Sequence, residues 1–273
     1  MIKAFFQNLS SAKLYTLIVS VCVCVSALLA VIISESINNA KPKQAAAPAQ
    51  LVALEKQDTK EIEKTIHNMK VEALIKKAEA SLDKELEDGK SSIWSLFENY
   101  AVLGDSRAVG FSYYNFLRDD RVFAAGGNTI RDIPALIKDL KAISPATIYL
   151  CYGLNDTGIG HWKNGKEYGK ELRQVFDKLK KALPDTQIVA SSILPATEAA
   201  LEKSPVWRKI PDFDKALKEA CREKGVIYVD NSELVEKYMS TLYDEDGVHL
   251  RPAFYPKWAK NLYMAPILAE IEQ

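Results

Sequence analysis

Gly104-Asp105-Ser106 closes the short apolar run Val102-Leu103, so a serine stands where a predicted strand ends and the chain must turn. A serine hydroxyl is a poor nucleophile at neutral pH and needs a base to take its proton and a third group to orient that base. The chain has 3 histidines. His67 lies in a charged, helix-like stretch, His161 in a loop beyond Asn155, and His249 in Asp246-Gly247-Val248-His249. Asp-x-x-His within one turn lets a carboxylate hold one ring nitrogen while the other faces the serine, so Ser106, His249 and Asp246 form the candidate triad. Attack on a carbonyl also builds an oxyanion, best met by rigid backbone donors and a neutral amide. The Ser106 N–H, the Gly127 N–H and the Asn155 side chain suit that task. Gly127 is chosen over Gly126 for its place before Asn128-Thr129.

These residues need a scaffold that brings them to one edge. Strand-length apolar runs at 101–103, 122–125, 146–152, 187–191 and 226–229 alternate with helical periods at 108–117, 130–142, 166–183 and 212–224. A last helix is expected over 253–270, limited by Pro256 and Pro266. Alternation of this kind predicts an α/β fold, a parallel sheet covered by helices on both faces. Ligands then gather beyond the carboxyl ends of the strands. Ser106 follows the first run, Gly127 the second and Asn155 the third.

Four blocks in this order, Gly104-Asp105-Ser106, Gly127, Gly153-Leu154-Asn155-Asp156 and Asp246-Gly247-Val248-His249, make the chain resemble the SGNH hydrolases, or GDSL esterase/lipase family, from about residue 98 onward. The resemblance implies a flavodoxin-like three-layer α/β/α sandwich with a five-stranded parallel sheet. It also implies catalysis by Ser106, Asp246 and His249, with Ser106, Gly127 and Asn155 as the oxyanion hole. One departure is Arg107, where many members have leucine. It is a candidate for binding an acidic group on the substrate or for pairing with a local carboxylate. His161 and Trp162, in a glycine-flexible loop beside the site, are further substrate-binding candidates. Tyr113, Tyr114, Trp207, Tyr255 and Trp258 could line a pocket or fill the core. Asp105 and Asp156 read as structural hydrogen-bonding residues.

Residues 14–33 carry no charge over about 20 positions, enough to cross a bilayer core as a helix. Lys3 and Lys13 precede the span, so a cytoplasmic N-terminus, an uncleaved anchor and an extracytoplasmic remainder are expected. Ser34-Glu35-Ser36 is a poor signal-peptidase site, which disfavours a cleaved leader. Residues 38–50, with two prolines and no large apolar side chain, read as a tether. From 51 to 90 the chain is rich in Glu, Lys and Ala. Ile62, Ile66 and Met69 give way to an offset stripe of Val71, Ile75, Ala78 and Leu82. Three readings of this helical spacer stay open: solvated, packed on the catalytic domain, or self-associating. The expected division is 1–37 arm and transmembrane helix, 38–90 linker and spacer, and 91–273 hydrolase domain.

Composition sets limits on function. Lys plus Arg and Asp plus Glu both number 36, for a formal charge of +0, so no field favours a nucleic-acid partner. Cys22 and Cys24 fall in the apolar span, Cys151 in a predicted strand and Cys221 in a predicted helix, which is no disulfide framework. Dispersed histidines and unpaired cysteines suggest no metal, and acyl-serine chemistry needs no cofactor. The expected substrate is an ester, with O-acetyl groups on surface or cell-wall polysaccharide as one class. An O-acetyltransferase using the same acyl-serine is the alternative enzyme, and a catalytically silent surface scaffold the alternative of another kind.

Overall fold

The computed structural model describes residues 59–88 and 91–271. The proposed span 14–33 with Cys22 and Cys24, the tether 38–50 and the start of the spacer lie outside the described residues. Among the described residues no helix is long and apolar enough to cross a membrane. The chain divides into two compact units, 1–66 and 67–273. The first is described only from residue 59, as the opening turns of helix α1 (Thr59–Glu87).

The second unit carries a five-stranded parallel sheet: β1 (Tyr100–Gly104), β2 (Val122–Ala124), β3 (Thr147–Cys151), β4 (Gln187–Ser191) and β5 (Ile227–Val229) in the order β2-β1-β3-β4-β5. This is the order expected of a flavodoxin-like sheet, with the switch in direction between β1 and β3. The three central strands are buried on both faces, which is why they read as unbroken apolar runs. Ala101, Leu103, Ile148, Leu150, Ile188 and Ala190 enter one core. Tyr100, Val102, Tyr149, Cys151 and Val189 enter the other.

Helices α3 (Ile133–Ile143), α5 (Gly165–Ala182) and α7 (Ile210–Lys224) close the first face through Leu140, Phe176 and Phe213. On the opposite face lie α2 (Ser106–Tyr113), α8 (Ser232–Leu242) and α9 (Tyr255–Ile271), contributing Phe111, Leu234 and Trp258. Short helices α4 (Leu154–Gly158) and α6 (Glu198–Lys203) follow β3 and β4. Helix α9 runs through Pro266 rather than stopping there, held by buried Leu262 and Ala265. Pro256 sits in its first turn, where no intrahelical N–H is required.

Within the second unit, Leu82 of α1 is buried and Leu86 packs against the aromatic core, while Lys260 Nζ and Asp83 meet at 2.5 Å. The offset stripe therefore does the packing. Met69 and Leu74 remain exposed.

Gly104 permits a close approach between β1 and β3. A Cβ there would lie 2.4 Å from Ala108 Cβ and 2.5 Å from the Cys151 carbonyl oxygen. Backbone of β3 cannot yield without breaking the β1–β3 register, in which Gly104 faces Cys151. Gly104→Ala should therefore destabilise the protein by about 2 kcal/mol or more, as overpacking does, read as a lowered Tm in thermal unfolding.

Candidate active site

Three loops leave the carboxyl ends of β2, β1 and β3, and hydrogen bonds stitch them together. Asp105 caps α2 by accepting from the Arg107 N–H at 3.0 Å, and its second oxygen accepts from the Leu154 N–H at 3.2 Å. The nucleophile turn is thereby tied to the block that holds Asn155. The Asn155 amide donates to the Asn128 carbonyl at 3.2 Å, and the Ile130 N–H donates to Asp156 at 3.0 Å, which bind the β2 and β3 loops to each other. Because Asp105 takes the capping role, Ser106 becomes the first residue of the helix. No intrahelical partner exists for an N–H in that position.

The His249 loop arrives from far along the chain. A lone antiparallel bridge between Tyr243 and Leu250 closes it, with the Asp244 N–H on the His249 carbonyl at 2.8 Å. Asp246 Oδ1 accepts from the Val248 and His249 N–H groups, each at 2.9 Å, leaving Oδ2 for the ring. His249 Nδ1 lies 2.5 Å from Asp246 Oδ2, and His249 Nε2 lies 3.1 Å from Ser106 Oγ. Hydroxyl, imidazole and carboxylate thus form one continuous hydrogen-bonded relay. Partial burial pushes the Asp246 carboxyl up, but its bonds from the His249 ring and the two backbone N–H groups outweigh this and hold it below the usual carboxylate range.

Gly127 lies exposed in the loop after β2 with φ of 85°, and a Cβ there would meet nothing within 4 Å. Space above it is open to a ligand. The site as a whole is also open: the Asp246 and His249 side chains are 49% and 47% exposed.

Two of the expected substrate contacts are corrected. Arg107 is 3% exposed, and among the described residues its guanidinium bonds backbone carbonyls rather than a carboxylate. Its Nε donates to the Val248 carbonyl at 2.9 Å and its terminal nitrogens donate to the Leu194 and Pro195 carbonyls. Trp162 is 4% exposed, its Nε1 donating to Glu171 at 2.8 Å while the Arg131 guanidinium lies over its ring at 4.8 Å. The Arg131–Glu171 ion pair draws it inward. His161 alone of that pair is exposed, edge-on to Trp162. Tyr255 and Trp258 are core residues, and Tyr113 is exposed on the surface of α2.

Behind the site sits a second carboxylate. Desolvation raises the Asp156 carboxyl to about 7, helped by the nearby Asp105 charge and opposed by the Ile130 N–H. Among the described residues its Oδ2 is buried without a hydrogen-bond partner. A group whose folded value is raised stabilises most below its unfolded value, near 4, and that stabilisation is lost as pH rises towards 7. Asp156→Asn keeps an acceptor for Ile130 and removes the charge. The Tm of the variant relative to the parent should therefore increase between pH 5 and pH 8 in paired thermal melts.

A doubly wound sheet with Ser, His and Asp aligned beyond its switch point defines an α/β serine hydrolase. The chain belongs to the GDSL-like lipase/acylhydrolase family, whose model matches residues 99–256, and it is an SGNH-type esterase. Similar solved structures include a family 3 carbohydrate esterase from Clostridium thermocellum, 19% identical over 64% of this chain and 98% of that one, with a TM-score of 0.50. A GDSL-like lipase from Bacteroides thetaiotaomicron is 17% identical over 63% and 87%, with a TM-score of 0.48. An acetyl xylan esterase from Geobacillus stearothermophilus is 22% identical over 63% and 93%, with a TM-score of 0.44. A comparison with curated proteins gives no match.

Proposed function

We propose that the chain is a membrane-anchored, extracytoplasmic esterase that removes short acyl groups, O-acetyl foremost, from surface or cell-wall polysaccharide. The observation that carries the chemistry is the unbroken relay from Ser106 Oγ to His249 Nε2 at 3.1 Å and from His249 Nδ1 to Asp246 at 2.5 Å. His249 takes the Ser106 proton as Oγ bonds to the ester carbonyl carbon. The resulting oxyanion rests on the Ser106 N–H, the Gly127 N–H and the Asn155 amide. Collapse expels the alcohol, which receives the proton from His249, and leaves an acyl-serine. Water, deprotonated by His249, then attacks that ester, releasing the acid and restoring Ser106.

Two features favour a bulky alcohol. The half-exposed His249 and Asp246 leave room for a polymer to lie across the site. The Clostridium thermocellum structure of the same fold is a carbohydrate esterase. The charge-free span 14–33, with lysines before it, supports anchoring with the catalytic domain outside.

Purified enzyme should release acetate from acetylated glycans and hydrolyse acetyl nitrophenyl esters far faster than esters of eight or more carbons. A preference for long acyl chains would refute the substrate class. The full chain should sediment with membranes and retain residues 14–33 by mass spectrometry; a mature protein lacking them would refute the anchor.

A further inference from the structure

The nucleophile and its base come from positions 143 residues apart, so something must set the gap between them. Arg107 connects their backbones. It is covalently next to Ser106, and its Nε donates at 2.9 Å to the carbonyl of Val248, the residue bonded to His249. The peptide between Val248 and His249 is thus gripped at both ends. Its N–H is held by Asp246 Oδ1 at 2.9 Å and its carbonyl by Arg107. A peptide plane fixed at both ends fixes the direction in which the His249 side chain leaves the backbone.

The remaining guanidinium donors extend the grip. They reach Leu194 and Pro195, just before Thr197, whose N–H donates to the Gly247 carbonyl at 2.9 Å. The backbone of Arg107 is itself anchored, its N–H on Asp105 at 3.0 Å and its carbonyl accepting from buried Tyr255 Oη at 2.8 Å. A guanidinium stays charged at any working pH and offers a rigid fork of donors, so one side chain can orient three carbonyls from two loops. Leucine at this position could fill the space but could orient none of them.

From this geometry we infer that Arg107 is a positioning residue for the esterase reaction, setting the Ser106–His249 separation through the Val248 carbonyl. The inference rests on the reading of Ser106 and His249 as nucleophile and base. Misplacement of a catalytic group by about 1 Å can cost roughly 100-fold in rate. Lysine keeps the charge but cannot reproduce the fork, and methionine keeps only the stem.

The test compares the full-length parent, Arg107→Lys and Arg107→Met on a short acyl nitrophenyl ester, with active sites counted by a serine-directed phosphonate. The value of kcat per titrated site should fall about 10- to 100-fold, more for methionine than for lysine, with KM within about twofold of the parent. A role in stability alone would lower Tm and the titratable fraction but leave kcat per titrated site unchanged, and that result would overturn it. A rise confined to KM would overturn it in favour of substrate binding. Should both variants fail to fold, NMR of the parent decides: the Arg107 Nε–H should exchange slowly with solvent, and rapid exchange would overturn the inference. If the parent does not react with the phosphonate at all, the reading of Ser106 as nucleophile fails instead.

Discussion

Replacing Ser106 with alanine should lower kcat for a short acyl nitrophenyl ester by roughly 10⁶-fold, the scale seen when a triad serine is removed. The loss should come with almost no change in stability. Ser106 Oγ bonds His249, while the cap of α2 is made by Asp105, so the hydroxyl has no part in holding the helix. Tm should stay within the small range of ordinary surface substitutions. His249→Ala should cost nearly as much, and the double variant little more than either, because the two groups act in one proton transfer. Steady-state kinetics on the three variants check this, and additive losses would break the coupling on which the mechanism depends.

Asp246→Asn should reduce kcat by about 10²- to 10⁴-fold with KM nearly unchanged, the upper figure being that of a buried triad aspartate. The geometry gives the reason. Oδ1 accepts two backbone N–H groups at 2.9 Å, so an asparagine must keep its oxygen there and turn its NH₂ towards the imidazole. His249 Nδ1 would then have to accept, placing the ring proton on Nε2, where it faces Ser106 and cannot take the hydroxyl proton. Exposure of the pair to water should hold the loss towards the lower end of that range. A change confined to KM would show that Asp246 serves binding instead.

Much of the scaffold can be read from the chain because the central strands are sheathed on both faces. Residues such as Ala101 to Leu103 and Ile188 to Ala190 then leave near-continuous apolar runs. Helix α8 escapes that reading, although Asn231-Ser232-Glu233 and the buried pair Leu234-Val235 carry a start signal and an apolar face. Its short length and its turn-like preface hide it. Asp246 and His249 stand out in sequence because carboxylate and imidazole are close neighbours, and Ser106 because a glycine and an aspartate precede it.

The support of the site is another matter. Arg107 binds carbonyls 87 and 141 residues away, and a backbone carbonyl has no residue identity to mark it. Arg107 therefore reads as a partner for an acidic group, whereas its buried guanidinium holds backbone carbonyls. Trp162 likewise looks like a loop aromatic beside the site, yet an ion pair between Arg131 and Glu171, 40 residues apart, turns it inward. Gly104 looks like turn punctuation, but its need is contact with Cys151 and Ala108 across the β1–β3 junction. In each case the cause lies in a long-range contact.

Reaction of the full-length protein with a serine-directed fluorophosphonate, followed by intact-mass and peptide mass spectrometry, decides whether Ser106 is the nucleophile. One adduct per chain is expected, located on Ser106, absent from Ser106→Ala and formed in step with the loss of esterase activity. Ester hydrolysis that persists without modification of Ser106, or an adduct on another serine that abolishes activity, would contradict it.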